Sequence, residues 1–158
     1  MKTFTFFILS LFTISIYAQG PNADGMEKQA VEETIRTFFD GFHKQDSTII
    51  KNVVDNSIVL QTTGRNKEGK TMYRTSEFSK FLESIVSIPD SIGFEEKLTS
   101  FSIQVDRTMA NAWVGYEFWL NGNFSHCGIN SFQLINFDGT WKIIYLIDTR
   151  GKAGCLEE

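Results

Sequence analysis

Strong metal donors are scarce in this chain. It has two histidines, His43 and His126, and two cysteines, Cys127 and Cys155. Their spacing matches no structural or catalytic metal site, so no metal is expected. Excess positive charge is also lacking: 15 Lys and Arg stand against 19 Asp and Glu. That balance argues against nucleic acid or an anionic membrane surface as partner. After the first eighteen residues no apolar run is long enough to cross a bilayer. No internal repeat, low-complexity tract or linker divides the chain, which is sized for one domain with one core.

The N-terminus carries an export signal. Lys2 supplies a positive start, Phe4 to Ile16 is apolar apart from small hydroxyl residues, and Ile16-Tyr17-Ala18 precedes the expected cut. Residues 1–18 are therefore assigned to a signal peptide, 19–25 to a flexible N-terminus and 26–155 to a single domain. Without a cysteine at the cut, no lipid anchor is expected, and the mature chain is periplasmic or secreted. Loss of Lys2 makes the net charge one unit more acidic than the −4 of the full sequence.

Within the domain, Val31, Ile35, Phe38, Phe39 and Phe42 recur at helical spacing from Met26 to Lys44. Asp46 or Ser47 caps a short second helix with Ile49, Ile50, Val53 and Val54 on its buried side. Ser57 to Thr62 reads as a strand, and Gly64 to Arg74 as a basic, solvated loop with Arg65, Lys67, Lys70 and Arg74. Thr75 caps a third helix with Phe78, Phe81, Leu82, Ile85 and Val86, and Pro89 stops it. After Gly93 the pattern alternates as strands do. Helices first and an antiparallel meander afterwards give an α+β layer arrangement.

Two glycine turns set the registers. Asp138-Gly139 pairs Phe137 with Thr140, Leu134 with Ile143, Phe132 with Tyr145 and Asn130 with Ile147. For the earlier hairpin a three-residue loop, Asn121-Gly122-Asn123, is preferred; it pairs Phe118 with His126, Tyr116 with Gly128 and Val114 with Asn130. A two-residue loop would bring Glu117 beside His126 instead. In the preferred registers the inner face holds Ala112, Val114, Tyr116, Phe118, His126, Asn130, Phe132, Tyr145 and Thr149. The outer face holds Trp113, Glu117, Trp119, Cys127, Ile129, Asp148 and Arg150.

On that map His126 is the candidate base, since a neutral imidazole among phenols suits proton transfer; contact with a ligand, or stiffening of the strand end, are its other readings. Asp148 and Arg150 are expected to be structural, an ion pair that pins the last strand. Cys127 lies beside Arg150, and five more residues let the tail return, so a Cys127–Cys155 disulfide is expected. Closing a loop of about 28 residues is worth roughly 3–4 kcal/mol in the chain-entropy view. A reactive Cys127 activated by His126 is disfavoured, because strand neighbours point to opposite faces. His43 ends the first helix and complements its dipole. Trp113 and Trp119 on an outer face mark an interface.

The order of three helices and a meander carrying Asp138-Gly139-Thr140-Trp141-Lys142-Ile143, after a first helix ending Phe39-Asp40-Gly41-Phe42-His43-Lys44-Gln45-Asp46, resembles the nuclear-transport-factor-two-like superfamily. Within it the chain looks most like an exported bacterial branch that carries a lumazine-binding label. The likeness spans about Met26 to Arg150. It implies a conical, cystatin-like roll: three N-terminal helices on a curved antiparallel sheet, with a deep pocket and often a dimer through the outer sheet face. Members include isomerases, cyclases, dehydratases, binders and transport factors, so the fold does not choose the function. No residue here argues for pterin recognition, and no cofactor is implied. The leading expectation is an exported binder of a small, partly apolar molecule, with a pocket lined by Phe38, Phe42, Tyr116, Phe118, His126, Asn130, Phe132 and Tyr145. The alternatives are an isomerase, cyclase or dehydratase using His126 as base with Tyr116 or Tyr145 polarising a carbonyl, or a dimeric interaction module working through Trp113 and Trp119.

Overall fold

The computed structural model describes residues 23–152 together with 154 and 155; the expected signal peptide lies outside them. Three helices, α1 (Ala23–His43), α2 (Ser47–Val53) and α3 (Phe78–Val86), pack on a six-stranded sheet of β1 (Val54–Arg65), β2 (Thr71–Ser76), β3 (Phe94–Asp106), β4 (Met109–Leu120), β5 (Asn123–Phe137) and β6 (Thr140–Thr149). Helix α1 starts three residues before Met26, so Ala23 to Gly25 are helical, not part of a flexible tail. Its apolar stripe buries Val31, Ile35, Phe38 and Phe39. The solvent side carries three ion pairs, Asp24–Lys28, Glu32–Arg36 and Asp40–Lys44, each with the acid four residues before the base. That order suits the helix dipole, although each exposed pair contributes only about 0.3–0.5 kcal/mol.

Helix α1 ends at His43, and the chain turns out of it at Gln45, whose φ is +54°. Asp46 then caps α2 by accepting from the Thr48 and Ile49 N–H groups at 2.8 and 3.3 Å. The Gln45 side-chain amide donates to the carbonyls of Ile85 and Ile88, both at 2.8 Å, and ties the α1–α2 corner to the end of α3. At the other end of α1, the Trp141 indole N–H donates to Glu27 at 2.8 Å, fixing the helix start to β6.

The strand order is β2-β1-β6-β5-β4-β3, and β1 runs parallel to β6. The sheet is thus mixed, not the purely antiparallel one expected. The chain enters it through β1 and β2 before α3 and returns for the β3–β6 meander, so the last strand lands beside the first. The segment expected to be a loop contains β2, whose residues from Thr71 to Thr75 are exposed because it is the outer strand. Thr75 belongs to this strand and does not cap α3; Glu77 is the N-cap residue, with no side-chain cap bond.

Both expected glycine turns have two residues in left-handed conformation, Asn121-Gly122 and Asp138-Gly139, the geometry whose twist suits a two-residue hairpin. The first loop is one residue shorter than preferred. Its register is nevertheless the preferred one at Phe118–His126, Tyr116–Gly128 and Val114–Asn130, because Ser125 bulges out of β5 and makes up the missing residue. In the second hairpin Phe137–Thr140 and Leu134–Ile143 pair as expected. Ile144 then bulges, so Phe132 faces Leu146 and Asn130 faces Asp148. A third bulge, at Thr99, shifts β3 against β4. Bulges bend a strand and reverse which face its next residues occupy. Here they divide the sheet into a packed half and an open half. The packed half buries Val114, Phe132, Leu134 and Ile143 completely against α1; Phe132 meets Phe38 and Phe39 at ring-centroid distances of 6.3 and 6.2 Å.

Candidate functional site

A cavity of about 460 Å³ lies between α1, α3 and the open half of the sheet. Its helix side is aromatic, with Phe38, Phe39 and Phe42 from α1 and Phe81 from α3. Its sheet side is polar. Arg74, Thr62, Asp148 and Asn130 are successive cross-strand partners on β2, β1, β6 and β5, and all four border the cavity. Thr62 Oγ1 donates to Asp148 Oδ1 at 2.5 Å, and Arg150 Nε donates to Asp148 Oδ2 at 2.7 Å. Asp148 is only 8 % exposed. Burial opposes the Arg150 charge, but the hydrogen bond and charge of Asp148 outweigh it and hold the guanidinium protonated.

Tyr116 donates its hydroxyl to the Thr149 carbonyl at 2.8 Å and lies 3.5 Å from Asp148 Oδ2. Burial, then the neighbouring Asp148 and Glu96, push its ionisation above the ordinary phenol range. Gly128 makes this contact possible. A Cβ there would lie 1.9 Å from the Thr149 oxygen and 2.9 Å from the Tyr116 ring. His126 stacks on Phe118 at 5.0 Å between ring centroids, and its Nδ1 is 3.1 Å from Ser125 Oγ. Burial, then the charge of Arg150, lowers its pKa and favours the neutral ring.

Glu96 completes the polar side from β3. Its carboxylate accepts from Asn130 Nδ2 at 2.7 Å, and its backbone N–H donates to His43 Nε2 at 2.9 Å. His43 thus acts as an acceptor between α1 and β3, with its pKa lowered chiefly by burial. Burial raises Glu96 to about 7, opposed by the Asn130 hydrogen bond and assisted by Asp148.

Of the eight expected lining residues, Phe38, Phe42, Tyr116, Phe118, His126 and Asn130 border the cavity. Phe132 does not; it is wholly buried in the core beneath α1. Tyr145 does not either, because the Ile144 bulge turns it to the other face, where its hydroxyl donates to Gln61 Oε1 at 2.5 Å. The same bulge brings Asp148 and Arg150, expected on the outer face, into the cavity, where they form their ion pair. Glu117, on the outer face, accepts from the Trp119 indole at 3.0 Å.

Glu96 was missed by the sequence reading. Alternation through Phe101, Ile103 and Val105, carried back without a break, turns Glu95 and Lys97 inward. The Thr99 bulge turns Glu96 inward instead. A carboxylate between Phe94 and Leu98, two apolar residues of the same strand parity, was the available signal.

On the outer face, Cys127 and Cys155 form a disulfide with Cα atoms 5.7 Å apart. Cys127 pairs with Gly151, one residue beyond Arg150, through backbone bonds of 3.0 and 2.9 Å. Trp113 is 56 % exposed. Trp119 is partly covered, with Lys97 Nζ 4.4 Å above its ring. Among the described residues, no group of three His, Cys, Asp or Glu side chains is placed to hold a metal ion, and no helix is long and apolar enough to cross a membrane.

No protein-family model and no curated protein matches the sequence. Solved structures do match its shape. A Nostoc punctiforme protein of unknown function with a cystatin-like fold superposes with a TM-score of 0.63 at 14 % identity, over 81 % of this chain and 93 % of its own. A candidate scytalone dehydratase from Novosphingobium aromaticivorans gives 0.64 at 13 % identity, over 84 % and 89 %. The association domain of C. elegans CaMKII gives 0.60 at 12 % identity, over 80 % and 98 %. Three helices on a coiled six-stranded sheet, matched at this level by proteins described as NTF2-like or cystatin-like, give this chain the nuclear-transport-factor-2-like, cystatin-like fold.

Proposed function

We propose that the chain is exported and that its domain binds a small, partly apolar molecule in the cavity between α1, α3 and the sheet. The cavity itself carries this reading. It is of ligand size, aromatic on one side, and presents a few converging polar groups on the other. The disulfide suits an oxidising compartment, and N-terminal sequencing of the mature protein should begin near Gln19. Binding is tested by titrating 2-phenylethanol, followed by NMR, into the wild type and Ser84→Trp, whose indole is aimed at filling the cavity. Saturable shifts of cavity residues in the wild type, lost in the variant, are expected; equal shifts in both would refute the reading.

A second reading is an acid–base enzyme of the isomerase, cyclase or dehydratase type with His126 as base. Its neutral ring supports this. The phenols expected to polarise a carbonyl do not, since Tyr116 donates to a backbone carbonyl and Tyr145 faces away. Turnover of a β-hydroxy ketone that disappears in His126→Ala while binding persists would favour the enzyme. Self-association through the sheet face around Trp113 is the third part of the proposal. Light scattering should find a dimer in the wild type and a monomer in Trp113→Lys.

A further inference from the structure

The charges around the cavity do not cancel evenly. Arg150 is committed to Asp148 at 2.7 Å, and that pair is internally neutral. Glu96 has one hydrogen bond, from the uncharged Asn130, and no salt bridge among the described residues. It is therefore the cavity's uncompensated carboxylate. A carboxylate drawn out of water is stabilised by a proton or by a cation that brings its own hydrogen bonds. The surroundings of Glu96 favour the cation. Phe118 is its cross-strand neighbour, and Phe42 borders the same cavity; ring faces attract an ammonium group.

We infer that Glu96 anchors a protonated amine: the cavity takes a small molecule with one primary ammonium group on an apolar body about the size of a ring. The inference rests on the cavity being a binding site. Arg74 and Lys80 border the same cavity but do not oppose this placement. Arg74 is on β2, at the far edge of the sheet from β3, and both side chains are exposed, where solvent and salt screen them. They leave the opposite end of the ligand neutral or anionic.

Several ionisable groups surround Glu96. His43, Asp40 and Arg36 approach from α1, Tyr116 from β4, His126 from β5, Asp148 from β6 and Arg150 from just beyond its end. Glu95 and Lys97, its neighbours on β3, point to the other face. Of these, His43 and His126 also change charge near neutrality, so the test needs a variant in which only Glu96 is silenced.

The experiment compares 2-phenylethylamine with 2-phenylethanol by isothermal titration at pH 8 and pH 5.5, in the wild type, Glu96→Gln and Glu96→Asp. The amine should bind the wild type at least roughly tenfold more tightly than the alcohol at pH 8, the scale of a charge-assisted hydrogen bond. For a group titrating at about 7, the ionised fraction falls about 30-fold between the two pH values, and the amine's advantage should fall with it. Glu96→Gln should bind both probes alike at pH 8. Any pH dependence it keeps belongs to the histidines. Glu96→Asp should keep part of the preference. Equal binding of amine and alcohol by the wild type at pH 8, or an amine preference surviving in Glu96→Gln, overturns the amine assignment and leaves the cavity reading standing. If neither probe binds, both fall.

Discussion

Glu96 makes a thermodynamic prediction that needs no ligand. Its carboxyl titrates at about 7 in the folded protein, against an ordinary value of 4.5. Between those values the folded chain holds a proton that the unfolded chain has released. Stability must therefore fall as pH rises through this window, and the cost is fully present above about pH 7. A full shift of this size corresponds to about 3 kcal/mol; Glu96 is only partly buried, which reduces this to about 2–3 kcal/mol. Glu96→Gln removes the cost and keeps an acceptor for Asn130. The variant should be more stable than the wild type at pH 8 by about 2 kcal/mol, which raises Tm by on the order of 5–10 °C in a domain this size. The advantage should shrink towards zero by pH 5. His43 and His126, whose pKa values are lowered, act in the opposite sense, since their contribution is lost as pH falls. They are present in both proteins and largely cancel in the difference. Urea unfolding of both proteins at pH 5, 6, 7 and 8 measures it. A difference independent of pH, or one that grows towards acid, would refute the reasoning.

Other substitutions probe the frame around the cavity. Gly128→Ala should cost about 3 kcal/mol or more, because its Cβ would meet the Thr149 carbonyl at 1.9 Å; urea denaturation checks this, and Cys127→Ala/Cys155→Ala, which removes the disulfide between β5 and the C-terminal tail, is the comparison. That double substitution should cost roughly 3–4 kcal/mol by releasing a 28-residue closure, with no change in the reduced proteins. Trp141→Phe should cost about 1–2 kcal/mol, because it leaves the Glu27 carboxylate without its indole donor, and hydrogen exchange should quicken first at the start of α1.

The amphipathic stripe of α1, the Asp46 cap and the two glycine turns were legible because each depends on residues close in sequence. So was the alternation of β4, whose inner residues from Ala110 to Tyr116 are buried as a set. Strand β2 was not legible. It is an outer strand without a buried face, so its composition is that of a solvated loop. The parallel pairing of β1 with β6 was hidden for a different reason: the partners lie more than eighty residues apart, and no local pattern names one for the other. The site was half legible. Tyr116, Phe118, His126 and Asn130 were placed correctly because the Ser125 bulge offset an error of one residue in loop length. Tyr145, Asp148, Arg150 and Glu96 lie beyond bulges that nothing offset.

The sequence alone determined the local periods, and with them the helices, most strands and the apolar core that joins them. Only the tertiary structure decided which polar side chains meet in the cavity. A bulge of one residue leaves composition and hydrophobicity almost unchanged, yet reverses every side chain after it. Where the extra residue is accommodated depends on how the sheet must curve around α1, a condition that no single strand contains.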